Sequence, residues 1–244
     1  MPRGAPDDSN VVKQGAVYRL DDMAELAARL GSVVNYHRFG DVVYTDTFES
    51  GLNGYQFLGN GSGGYVRVTN DYAVGGNIAI VLNTGTGTNP YIAMWRGIPV
   101  PASYYLGFSF YFMITPGAGT VQCQLSHFTG SQHWLFVAQY DHRTGEVSVR
   151  ATDGAWHVLG TISKLVEGQG IFNIIKVTVN IDACTFDKVY LNEKVFDARP
   201  YGPVITFDTS APFFRGYARF TADGAGSTKF YLDNWVMTEN ELQE

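Results

Sequence analysis

Eight glutamates and five histidines carry most of the chemistry this sequence could perform, and their spacing serves little of it. The glutamates stand at 25, 49, 146, 167, 193, 239, 241 and 244. Cleaving a glycosidic bond takes two facing carboxylates, about 5–5.5 Å apart in retaining enzymes. Glu239 and Glu241 are spaced i and i+2, but the polar tail around them offers no apolar wall to raise a carboxyl pKa. The histidines, at 37, 127, 133, 142 and 157, form no H-E-x-x-H and no other close metal spacing. His127 and His133 flank "FTGSQ", a hairpin loop. They read either as a metal or ligand pair at a strand end or, more plainly, as two loop-edge imidazoles. There is no G-x-S-x-G, so a nucleophile elbow is absent. The glycine-rich "NGSGGY" and "NTGTGTNP" precede strands and not helices, which makes them turns and not phosphate cradles. The chain reads as a non-enzyme.

The elements around these residues follow from composition. Apolar residues make up 45%, charged residues 16% and aromatic residues 14%, with 28 glycines, which is a strand-and-turn composition. The formal charge of −6, with the basic residues scattered, argues against nucleic acid. Membrane insertion is not expected either: the most apolar run, "YYLGFSFYFMI", is far shorter than the ~20 residues a spanning helix needs. "MPRGAPDDSNVVKQG" lacks the basic start and apolar core of a signal peptide, so synthesis in a cytoplasm without general export is expected. Cys123 and Cys184 then read as free core thiols more readily than as a bridge.

Residues 1–41 read as an arm carrying one short helix, at about 21–30. Met23, Leu26, Ala27 and Leu30 recur at i, i+3, i+4 and i+7, an apolar stripe, and Gly31 is a stop. So short a helix is marginal alone in water and needs a surface to dock on. From Val42 to the end the period is two. Fourteen strands are expected, separated by turn signals such as "TPGAG", "DHRTGE" and "ADGAGS". "YLNEKVF" reads as a tight hairpin with Asn192-Glu193 at its tip. In "IIKVTVNI", Ile175, Val177, Val179 and Ile181 form a dry face against a wet one of Lys176, Thr178 and Asn180. In "KFYLDNWVM", Phe230, Leu232, Asn234 and Val236 oppose Tyr231, Asp233, Trp235 and Met237. The expected fold is all-β: a two-sheet antiparallel jelly-roll sandwich over 42–244.

"DTFESGLNGYQ", "FNIIKVTVNIDACTFDKVYLNEKVFD" and "KFYLDNWVMTENE" resemble segments of the concanavalin A-like lectin/glucanase superfamily, whose laminin-G-like jelly rolls set a D-F-E-(S/D)-G opening strand beside a closing Y-(I/L)-D-(D/N) strand. Sugar-cleaving members carry E-x-D-x-(x)-E, which this chain lacks. The resemblance implies a possible structural calcium, and Asp46, Glu49, Asp233 and Asn234 would converge on it if the first and last strands pair. The plainer alternative has Glu49 capping a turn and Asp233 facing solvent. Lectin-like sites also use exposed aromatics, for which Tyr72, Trp134, Trp156 and Tyr201 are candidates. Three functions are weighed, and the first is the one the sequence favours. The first is a structural or assembly protein of a phage virion, with capsid or tail proteins or further copies of itself as partners and the arm as its tie. The second is a carbohydrate-binding module for a polysaccharide or cell-surface glycan, and the third a hydrolase with an unrecognised site.

Overall fold

A computed structural model describes residues 40–74, 76–168 and 170–241. Residues 1–39 of the arm, with the stripe of Met23, Leu26, Ala27 and Leu30, lie outside the described residues. Sixteen strands follow one another, and no helix occurs among the described residues. They are β1 (Asp41–Asp46), β2 (Gln56–Gly59), β3 (Tyr65–Thr69), β4 (Ala79–Asn83), β5 (Tyr91–Ile98), β6 (Tyr105–Ile114), β7 (Ala118–Phe128) and β8 (Gln132–Asp141). The second half supplies β9 (Glu146–Arg150), β10 (Trp156–Thr161), β11 (Asn173–Asn180), β12 (Thr185–Leu191), β13 (Lys194–Asp197), β14 (Val204–Phe207), β15 (Phe213–Ala222) and β16 (Lys229–Glu239). The fourteen expected strands all have a counterpart. The two additional ones, β2 and β14, are four residues each and too short to show an alternation.

The first sheet runs β13-β12-β11-β6-β16-β4-β3, and the second runs β10-β9-β8-β7-β15-β5-β2. In the first, β1 pairs with the later half of β16 while β4 takes the earlier half. In the second, β14 pairs with β8. The opening and closing strands therefore do lie side by side, antiparallel. The β12–β13 hairpin turns at Asn192, whose φ of +53° is the left-handed conformation asparagine tolerates.

Both sheets bury one face in a single core rich in phenylalanine. Phe108, Phe110 and Phe112 of β6 meet Phe214 and Phe220 of β15 across the sandwich, because period two puts alternate residues on the inner side. Trp235 lies among them, its ring 4.5 Å from Phe108 and 5.4 Å from Tyr55. Gly216 stands opposite, where a Cβ would approach Phe108 to 2.9 Å and Trp235 to 3.0 Å. The glycine is what lets the two layers close over these rings.

Two expected alternations are corrected. In β16, Asp233 pairs with Tyr111 and Val236 with Ser109, so two residues oppose one: a β-bulge. Asn234, at φ +52°, makes it. Past the bulge the faces exchange, so Phe230 and Leu232 share the core with Trp235 and Met237, and not with Asn234 and Val236. In β11, Ile175, Val177 and Val179 point inward as expected, but Lys176 and Thr178 on the other face are buried too. Lys176 Nζ lies 2.6 Å from Glu241 Oε1, and Thr178 Oγ1 donates to Asp187.

Candidate functional site

The segment "FFRGYARFTA" alternates large outward residues with inward ones, and folds as β15 in the middle of the second sheet. Phe214, Gly216, Ala218 and Phe220 face the core, which leaves Arg215, Tyr217 and Arg219 on the outer face. Antiparallel register then sets these beside polar residues from other strands. Trp95, Tyr217, Gln124, Val137, Arg150 and Trp156 are successive cross-strand partners on β5, β15, β7, β8, β9 and β10. At about 4.8 Å between strands, that row is roughly 24 Å long. A parallel row holds Arg219, Gln122, Gln139 and Ser148.

Between them is a cleft of about 410 Å³, lined by Gln122, Gln124, Leu135, Val137, Arg150, Trp156, Tyr217 and Arg219. Its polar groups are held in place by neighbours. Gln124 Nε2 donates to Gln122 Oε1 and Gln122 Nε2 to Gln139 Oε1, both at 2.9 Å. The Tyr217 ring stacks on Trp95 at 5.7 Å. Arg219 lies over Tyr91, with Cζ 3.8 Å from the ring centroid, and Arg215 lies over Phe128 at 4.9 Å. Such stacking fixes the guanidinium plane and leaves its edge N–H groups to a ligand. Burial pushes the Tyr217 hydroxyl up, with Arg219 pulling the other way, so it stays protonated and can donate. The cleft thus presents aromatic faces, amides, a phenol and guanidinium groups, and no carboxylate among its lining residues.

Of the aromatics expected to touch a ligand, Trp156 alone lines this cleft. Tyr72 packs edge-on against Tyr231, Trp134 packs on the core and against His127, and Tyr201 sits 4.8 Å from His157. The structure does not bring the four together. Trp95, Gln122, Gln124, Arg150, Arg215, Tyr217 and Arg219 escaped sequence reading. The signal was there in Arg215, Tyr217 and Arg219 at i, i+2 and i+4, and in Gln122 and Gln124. Basic residues read as scattered converge here from 150, 215 and 219.

The carboxylates proposed for calcium border the β1–β16 pairing, where Asp46 faces Trp235. Asp46 accepts from the hydroxyls of Tyr44 (2.9 Å) and Tyr55 (3.1 Å) and from Phe48 N–H. Glu49 Oε1 accepts from the N–H groups of Asn77 and Ile78, which is the turn-capping alternative. Asp233 accepts from Val74 and Asn234 N–H and is fully buried, so it does not face solvent. Among the described residues no group of three or more His, Cys, Asp or Glu is placed to hold a metal. Cys123 and Cys184 are both free, and burial pushes the Cys123 thiol well up. Glu241, expected in a polar tail with nothing to raise its pKa, is buried against Lys176, and its carboxyl pKa is raised by that burial.

His127 and His133 do not form a pair. His133 stacks on Phe128 at 4.2 Å, whereas His127 stacks on Phe214 at 4.7 Å. Burial, assisted by Arg215, pushes His133 down to about 4 from an ordinary 6.5. Between those values the unfolded chain binds a proton that the folded chain refuses. Stability is therefore complete above pH 6.5 and falls as pH drops toward 4. His127 is lowered by burial in the same sense. Melting followed by circular dichroism from pH 7 to 4 should show this decline, and His133→Phe should flatten part of it. An unchanged slope in that variant would count against the assignment.

No protein-family model and no curated protein matches this chain. Solved structures do. A carbohydrate esterase from Shiga toxin-encoding bacteriophage phi24B aligns over 83% of this chain and 100% of its own, with 14% identity and a TM-score of 0.55. An endo-beta-1,4-glucuronan lyase from the fungus Trichoderma reesei aligns over 82% and 96%, with 10% identity and a TM-score of 0.53. The carbohydrate recognition domain of Emp46p in its potassium-bound form aligns over 83% and 95%, with 13% identity and a TM-score of 0.50. At these identities the likeness is one of fold, a two-sheet antiparallel jelly-roll sandwich.

Proposed function

We propose that this chain binds an extended carbohydrate along the outer face of its second sheet, in the cleft between Tyr217 and Trp156. The observation that carries the reading is the cleft's lining: two aromatic side chains, two glutamines and two arginines on one rigid sheet. Pyranose faces stack on rings, while hydroxyls need donors and acceptors already in place. The row is long enough for several sugar units in line and runs across the strands. The three similar structures are a carbohydrate esterase, a glucuronan lyase and a carbohydrate recognition domain, which agrees with this reading. The hydrolase alternative asked for a cleft with two carboxylates, and the lining of this one contributes none. The virion-assembly role rests on residues 1–41, nearly all of which lie outside the described residues, so it takes no support from this face.

A glycan array followed by calorimetry tests the proposal. Binding of an oligosaccharide is expected, and Trp156→Ala and Tyr217→Ala should each weaken it by roughly tenfold without lowering the melting temperature of the Trp156 variant. Silence of the unmodified protein across neutral and acidic glycans at millimolar sugar would sink the reading. So would full affinity in both variants.

A further inference from the structure

The cleft holds an excess of positive charge that the rest of the molecule does not explain. The chain carries −6 overall, yet Arg150, Arg215 and Arg219 share this face. Ion pairs among the described residues join His142 to Glu167, Arg143 to Asp141 and Asp223, His157 to Asp153, Lys176 to Glu241 and Arg199 to Asp197. None uses Arg150 or Arg219 of the cleft lining, or Arg215 beside it on the same face. The Nε atoms of Arg215 and Arg219 are buried and have no hydrogen-bond partner. Arg215 has only a long contact from Nη2 to Ser126 Oγ, at 3.4 Å, and Arg150 donates from Nε to the Gly154 carbonyl. A buried guanidinium N–H with no acceptor costs free energy that a ligand acceptor would recover.

No nearby acid forms an ion pair with these arginines. Asp208 acts on both Arg215 and His133 through space but makes no ion pair with either, and its carboxyl accepts from Ser210. Asp141 lies on the same outer face, toward one end, and is taken by Arg143 at Nε and Nη2. Glu146 stands beside it, opposite Asp141 on β9 and four residues along the strand from Arg150. The only charged groups lining the stretch from Tyr217 to Trp156 are the guanidinium groups of Arg150 and Arg219.

We infer that the carbohydrate bound here is an acidic polysaccharide, its anionic groups seated on Arg219, Arg215 and Arg150 while its rings lie along Tyr217 and Trp156. The inference rests on the glycan-binding reading above. A guanidinium fork matches a planar carboxylate with two parallel N–H···O bonds and also accepts a sulfate oxygen pair, so uronate and sulfate ester are the two sources of the anion. The neutral Gln122–Gln124–Gln139 relay then addresses hydroxyls between the charges.

Three probes separate the possibilities: polygalacturonate, dextran sulfate and neutral dextran, each titrated at 50 and 300 mM NaCl. Polygalacturonate is expected to bind at least roughly tenfold tighter than neutral dextran, and to weaken as salt rises. Tighter binding of dextran sulfate would assign sulfate as the anion and still uphold the inference. Arg219→Gln should reduce acidic-glycan affinity by roughly tenfold and reduce any neutral-glycan affinity by a clearly smaller factor. Arg150→Gln is the second variant: its side chain is exposed, so folding is not at stake, and a smaller loss in the same direction is expected. Equal affinity for neutral dextran, or unchanged polygalacturonate affinity in both variants, overturns the acidic assignment and spares carbohydrate binding. Absence of binding to all three probes and to the wider array overturns both.

Discussion

Replacing Trp235 by alanine should lower the free energy of unfolding by about 3–5 kcal/mol, the range for emptying a large aromatic from a packed core. The side chain is fully buried and touches both layers: Phe108 and Phe110 from its own sheet, Gly216 from the facing one. Its neighbours cannot collapse into the gap, because Phe108 and Phe110 are themselves fixed by further rings and Gly216 has no side chain to swing inward. The indole N–H has no hydrogen-bond partner, so no polar bond is lost with it, and the cost is one of packing. Trp235→Phe fills much of the same volume and should cost markedly less. Urea unfolding of the three proteins reads out the series, and a loss under 1 kcal/mol for the alanine variant would contradict this packing account.

Lys176→Met should be comparably damaging at neutral pH, by about 3–5 kcal/mol, for a different reason. Lys176 and Glu241 form an ion pair with side chains 5% and 2% exposed. Removing the lysine strands a buried carboxylate that retains only the hydroxyl of Thr238. Burial already raises the Glu241 pKa, with Lys176 opposing the shift, so the variant's carboxyl rises further. A carboxyl whose folded pKa exceeds its unfolded value of about 4.3 stabilises the fold at low pH and loses that contribution as pH rises. The deficit should therefore be smaller at pH 5 than at pH 7. Adding Glu241→Leu to Lys176→Met should restore much of the loss, since an apolar pair needs no compensation. A deficit independent of pH, with no recovery in the double variant, would remove the ion pair as its cause.

How much of this was legible in the sequence differs from place to place. The strands were, because alternation and glycine turns are local signals, and "IIKVTVNI" and "YLNEKVF" announce a strand and a hairpin outright. The bulge at Asn234 was not. "KFYLDNWVM" alternates plausibly in either phase, and only pairing with β6 decides that one residue is extra. Lys176 and Glu241 were misread for a related reason: period two tells which residues share a face and nothing about whether that face is covered. The candidate cleft was least visible. Each arginine, glutamine and aromatic in it looks like a lone polar or apolar position, and the register of six strands makes them neighbours. The search for paired carboxylates and histidines asked for contacts close in sequence, whereas this face is assembled across it.

The placement of β15 and β16 has a consequence for how the protein comes to be made. β15 lies between β5 and β7 in one sheet, and β16 between β4 and β6 in the other, so the last two of the described strands occupy the interior of each layer. A nascent chain that has not yet delivered residues 213–239 holds two split half-sheets with their inner edges open. It also lacks Arg215, Tyr217 and Arg219. Neither a closed core nor a complete cleft exists until residue 239 has been delivered, so any ligand of that cleft discriminates completed sandwiches from chains released before that point.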